Sequence, residues 1–139
     1  MTALTARIQG MAIGPAAATG ERSRMVKVLL HAEGAAAFAA GAVLYFQAGG
    51  DAILFLPLLL LPDAGLLGYL RDARIGAFTY NLVHNWAVGL AVLGARMLLG
   101  SNALSLAGAV LIAHVGMDRA VGYGLKYATG FKVTHLQRV

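Results

Sequence analysis

Cysteine is absent from the 139 residues of this chain. Its absence excludes disulfides, thiolate metal sites and cysteine nucleophiles, so any metal would be held by nitrogen and oxygen ligands. Charge is also scarce, at 12% of residues, where ordinary globular domains carry roughly 25%. The chain has a single tryptophan and three prolines. A basic cluster interleaved with aromatics, the pattern of a nucleic-acid surface, is missing too, and nucleic acid is not expected as a partner.

Apolar sequence is abundant. Hydrophobic residues make up 59% and the mean hydropathy is +0.72, the composition of a membrane protein. Four apolar segments approach the ~20 residues that cross a bilayer as a helix, at about 25–47, 52–70, 75–99 and 103–123. They leave no room within these residues for a separate soluble catalytic domain.

The expected fold is all-α, a four-transmembrane-helix up-and-down bundle over 25–123. Residues 1–24 read as a mobile N-terminal tail, because their Gly, Ala, Thr and Pro content offers no periodic apolar face. The patch from Ile13 to Ala18 is too weak and too broken by Gly14 and Pro15 for a cleaved signal peptide. Residues 124–139 read as a basic, aromatic juxtamembrane tail. Pro57 and Pro62 lack amide donors and should interrupt the second span.

The net charge of +5 is distributed as an orientation signal. Arg7, Arg22 and Arg24 precede the first span and Lys27 lies at its start, Arg71 and Arg74 join the second and third, and Lys126, Lys132 and Arg138 follow the fourth. The other side carries Arg96 alone, so the positive-inside rule puts both termini in the cytoplasm.

Against this apolar background stand Glu33, Asp63, His84, His114 and Asp118. Ionisable groups inside a bilayer are costly and usually face the bundle interior, pair, or bind something. Counting inward from each cytoplasmic end at ~1.5 Å per residue places all five roughly 8 to 14 Å deep, on four different helices. They are expected to converge. His114 and Asp118, four apart, share a helix face, as do Tyr80 and His84; Asn81 lies one turn from His84. His31 is roughly 200 degrees from Glu33 around the helix and is expected to face elsewhere. Gly34, Ala37, Gly41, Gly65, Gly68, Gly108 and Gly116 supply the small residues that let membrane helices approach closely.

Imidazole and carboxylate ligands from facing helices are how bundles hold zinc, manganese or iron. Glu33, Asp63, His84, His114 and Asp118 are the candidate ligands, with Glu33, Asp63 and Asp118 as candidate general acid or base. Tyr80, Asn81 and Lys126 are candidate donors that orient them. A metal there would lower the pKa of water toward ~7 and permit hydrolysis at the membrane. A proton or ion pathway, or a polar network that only sets helix packing, would use the same residue types. The expected partners are the bilayer and a lipid or amphipathic small molecule, with an oligomer open.

Several segments carry a family resemblance: Leu61-Pro62-Asp63, Gly68-Tyr69-Leu70, Tyr80-Asn81-Leu82-Val83-His84, the run from His114 to Tyr127, then Gly130-Phe131-Lys132 and Thr134-His135-Leu136. Together they resemble the small bacterial membrane proteins grouped as domain of unknown function 4260, over nearly everything after Val28. The resemblance implies four spans and the inner membrane of a bacterium, and no activity. A fainter similarity, carried by Pro62-Asp63, His84 and the His114/Asp118 pair, is to membrane-bound metal-dependent hydrolases; the reaction expected of this chain is hydrolysis of a lipid or amphipathic phosphoester. This chain has Tyr80 to Asn85 where those hydrolases carry a His-Arg-Gly-x-Thr-His type of segment.

Overall fold

The computed structural model describes residues 15–138, with side chains described over 23–137. The helices are α1 (Pro15–Gln47), α2 (Ala52–Leu60), α3 (Ala73–Val83), α4 (Trp86–Leu99) and α5 (Asn102–Ala120). A 3-10 segment, Leu61–Leu70, continues α2, and a short 3-10 turn, His135–Arg138, lies near the C-terminus.

The first helix starts at Pro15, suited to a first turn because the N–H it lacks would have no partner there. Residues 15–24, expected as mobile tail, are therefore helical; the same expectation for 1–14 lies outside the described residues.

Three stretches are long and apolar enough to cross a membrane: Ser23–Gln47, Ala52–Leu70 and Asn102–Ala120. The α3 and α4 pair, bent by 41° at its break, meets the same criterion as one unit. The chain is thus all-helical with three or four candidate spans. The 19 residues of α5 rise about 28 Å at ~1.5 Å each, close to the ~30 Å of a bilayer's hydrocarbon. Large apolar side chains cover the outer surface, with Ile53 84%, Leu70 85% and Leu98 87% exposed, as a lipid-facing surface requires.

Two expected spans are broken, for different reasons. In the second, the α-helix gives way to 3-10 geometry at Leu61, where the Leu61 amide bonds the Leu58 carbonyl in place of the amide that Pro62 lacks. In the third, expected as continuous, the break falls at His84 and Asn85. Asn85 serves both sides of it: its side-chain oxygen accepts from the Val88 amide at 3.2 Å, capping α4. Its Nδ2 donates to the Asn81 and Leu82 carbonyls at 2.8 and 2.9 Å, closing α3.

Helix α5 is the centre of the molecule, with Ala109, Ala113 and His114 fully buried. Helix α1 lies against it at backbone-to-backbone range. A Cβ added at Gly41 would stand 2.5 Å from the Ala113 nitrogen, and one at Gly116 would run into the Phe38 amide, so this crossing needs glycine. On another side, the 3-10 segment is tied to α3 by the Thr79 hydroxyl, which donates to the Gly65 carbonyl at 2.6 Å. Tyr45 on α1 packs with Ala109, Val110 and Phe55 and donates to the Asp51 carbonyl at 3.0 Å, fastening the first turn.

The C-terminal segment is not a loose tail. After Gly122 (φ 94°) it folds back on itself, with the Tyr127 amide donating to the Val133 carbonyl and the His135 amide to Leu125. Gly124, Lys126, Thr134 and Leu136 are buried.

Candidate metal centre

The site begins with a backbone carbonyl. In 3-10 geometry the Leu59 carbonyl would receive the amide three residues on, and that residue is Pro62, which has none. His114 takes the place of the missing donor: its Nδ1 lies 2.6 Å from the Leu59 oxygen. A carbonyl only accepts, so Nδ1 carries the proton and Nε2 presents a lone pair. His84 repeats the arrangement one break away. Its Nδ1 lies 2.8 Å from the Tyr80 carbonyl, which leaves its Nε2 as the second lone pair.

The two Nε2 atoms point at each other, 2.7 Å apart. Both rings are almost wholly buried, His84 at 3% and His114 at 0% exposure. Two neutral imidazoles fixed in these tautomers set lone pair against lone pair, an arrangement that requires a cation or a shared proton between them.

Carboxylates surround that point. Asp63 Oδ1, from the first turn of the 3-10 segment, is 3.4 Å from His84 Nε2 and 3.7 Å from His114 Nε2. Asp118 Oδ2, one turn beyond His114, is 3.7 and 3.9 Å from the same atoms. Asp63, His84 and His114 each offer one ligand atom, all within 4.8 Å of one another, and can hold a metal ion. Two ligands ~2.0 to 2.1 Å from a tetrahedral ion stand about 3.3 to 3.4 Å apart. The oxygen to nitrogen distances suit this, whereas the two nitrogens would have to separate by about 0.6 Å.

Asp118 lies outside that three-residue group and is held separately. The Tyr80 hydroxyl donates to its Oδ2 at 2.6 Å, while the Tyr80 ring stacks on His84 with centroids 3.5 Å apart. Tyr80 thus orients two members of the cluster, through its hydroxyl and through its carbonyl.

Asn81 and Lys126 do something else. Asn81 Nδ2 donates to the Lys126 carbonyl at 2.8 Å and its Oδ1 accepts the Lys126 amide at 2.7 Å. Asn81 therefore anchors the C-terminal segment to α3 rather than a ligand. The Lys126 ammonium donates to the Phe131 carbonyl at 2.9 Å and lies 4.7 Å from the Tyr80 ring centroid. Burial pushes it below the ordinary lysine range, against the pull of Asp118 and Asp63.

Glu33 does not join. It is exposed, because the inward face of α1 at this level belongs to His31 and Gly34. His31 Nδ1 donates to the Ala120 carbonyl at 2.7 Å, satisfying the end of α5, and a residue two positions on then points away. Of the five residues expected to converge, Asp63, His84, His114 and Asp118 do.

Three features escaped the sequence reading. The Leu59 carbonyl carries no side-chain signature, although Pro62 three residues on is the clue to it. His135 accepts from the Leu125 amide at its Nδ1, 2.9 Å away, with Arg119 Nη1 3.0 Å from its Nε2. Burial, then the charge of Arg119, lower its pKa. The third is the docking of 124–137, which no apolar periodicity announces.

No curated protein and no solved structure matches the chain. The pattern of one family does, over residues 27–139, a stretch that includes all four members of the buried cluster. The chain therefore belongs to the family described as Domain of unknown function (DUF4260).

Proposed function

We propose that this is an integral membrane protein of four spans, in the inner membrane of a bacterium with both termini cytoplasmic, whose Asp63, His84 and His114 bind one divalent metal ion. Zinc, manganese or iron suits two imidazoles and a carboxylate. The observation that carries the proposal is the pair of committed Nδ1 atoms, which leaves two buried Nε2 lone pairs facing a common centre beside Asp63. Metal-ligating histidines are oriented in this way, the other ring N–H donating to a carbonyl or carboxylate.

Three protein ligands leave a coordination position open, the mark of a catalytic rather than a structural site. The ion would supply Lewis acidity there. Asp118, held by Tyr80 within 4 Å of both imidazoles, is placed to accept a proton from an attacking water. Hydrolysis of a lipid or amphipathic phosphoester is the reaction this set supports. The basic residues at Arg24, Lys27, Arg71, Arg74, Lys126 and Lys132 support the orientation.

Elemental analysis of detergent-purified protein prepared under metal-replete conditions tests the binding. One ion per chain, lost in His114→Ala, is the expected result; metal-free wild-type protein would sink it.

A second reading rests on the 2.7 Å separation of the nitrogens, the length of a hydrogen bond. In it the two imidazoles share a proton and Asp63 and Asp118 relay it, as chains of Asp, Glu and His do in membranes. That reading expects pH-driven flux in metal-free vesicles, abolished by Asp63→Asn.

A further inference from the structure

Beside the metal group is a cavity of about 510 Å³, within the size range of ligand sites. It lies between the 3-10 segment, the end of α3 and the outer face of α5, and every residue lining it is apolar. Its mouth is formed by exposed residues of two candidate spans, Leu61 on one side and Ala103 and Ala107 on the other. The medium that reaches this mouth in a bilayer is hydrocarbon.

The inner end of the groove is lined by residues that neighbour the ligands along the chain, and by none of the ligands themselves. Along α5 it extends from Ala103 to Leu111, a rise of about 12 Å, and stops three residues short of His114. On the facing wall, Pro62 and Val83 immediately precede Asp63 and His84. A chain lying in the groove therefore runs toward the three ligand residues.

Charge selects what that end carries. With a dication balancing Asp63 and Asp118, the site is left with a net positive surround: the ammonium of Lys126, which is only 8% exposed and within electrostatic reach of both carboxylates, and the guanidinium of Arg119, within reach of Asp118. An oxyanion complements it.

We propose that the groove holds one acyl chain of an anionic lipid, with its phosphate or carboxylate head at Asp63, His84, His114 and Lys126. This deepens the metal reading and rests on it, by naming the class of molecule that reaches the centre.

The test uses the full chain in phosphatidylcholine vesicles doped with lipids whose acyl chain bears a photoactivatable diazirine: phosphatidic acid, phosphatidylcholine or free fatty acid. Cross-links are mapped by mass spectrometry and metal is measured on the same samples. The anionic probes should label Leu61 and Leu111 above the outward-facing Leu98. Ala107→Trp, which fills the mouth from an exposed position, should bring them down to the Leu98 level with metal content unchanged. Lys126→Gln should remove the preference for anionic over zwitterionic probe, and Lys126→Arg should keep it. Labelling by phosphatidic acid alone identifies a phospholipid, and by fatty acid alone a free carboxylate.

Labelling spread evenly over the outward leucines, or untouched by Ala107→Trp, would overturn the proposal. So would cross-links from the groove to a second copy of the chain. Groove labelling in protein that binds no metal would keep the chain site and defeat the metal reading instead.

Discussion

Replacing Pro62 with alanine should weaken metal binding without weakening the fold. The substitution restores an amide three residues after Leu59, at the carbonyl that His114 Nδ1 now contacts at 2.6 Å. His114 is fully buried, and losing a buried hydrogen bond costs about 1–3 kcal/mol. Losing the partner that orients a ligand costs roughly 10- to 100-fold in metal affinity. A carbonyl has two lone pairs and can accept both donors, so the loss should fall near the lower bound, about tenfold or 1.4 kcal/mol. Stability should not fall, since Pro62 stands in the first turn of the 3-10 segment, where proline is tolerated but not required. Competition against a chelator of known affinity reads the first effect and thermal unfolding in detergent reads the second. Unchanged affinity in a protein that is at least as stable would refute the link from Pro62 through Leu59 to the His114 tautomer. A fall in both would make Pro62 merely structural.

Other expectations follow from the packing and the C-terminal segment. Gly116→Leu should destabilise by at least the ~1–3 kcal/mol typical of overpacking, visible in thermal unfolding, because its Cβ alone meets the Phe38 amide. Asn81→Ala removes two hydrogen bonds to Lys126, worth about 1 kcal/mol each. It should raise amide exchange over 124–137 while metal content stays constant. His135 has a lowered pKa in the folded protein, so its contribution to docking is complete above the ordinary ~6.5 and is lost as pH falls below that value. Protection of the Leu125 and Tyr127 amides, relative to their intrinsic exchange at each pH, should therefore fall from pH 7.5 to pH 5, and His135→Gln should flatten the dependence. Glu33→Gln should leave metal content unchanged and stability within ~0.5 kcal/mol, as for an ordinary surface substitution.

Much of this arrangement was legible in the residues. Hydropathy marked the apolar segments, and the cost of ionisable groups in lipid singled out Asp63, His84, His114 and Asp118, which helix rise placed at one level. The close approach at Gly41 and Gly116 was legible for the same reason, as small residues aligned on facing helices. Helical periodicity set His31 and Glu33 on opposite faces of α1, but not which face turned inward. That choice depended on the bare carbonyl at Ala120, a feature of the end of another helix. The break at His84 was hidden because Asn85 is neither proline nor glycine and caps only once the chain has opened there. The return of 124–137 rests on Asn81 and His135 meeting backbone groups, contacts that follow from the tertiary fold and leave no local pattern.

X-ray absorption spectroscopy of metal-loaded protein tests the central claim most directly. Two imidazole nitrogens and carboxylate oxygen around one ion at ~2.0–2.2 Å in the wild type, a shell that neither His84→Ala nor His114→Ala retains, is the predicted result. An ion with no imidazole in its shell, or the wild-type two-imidazole shell kept in either variant, would contradict it.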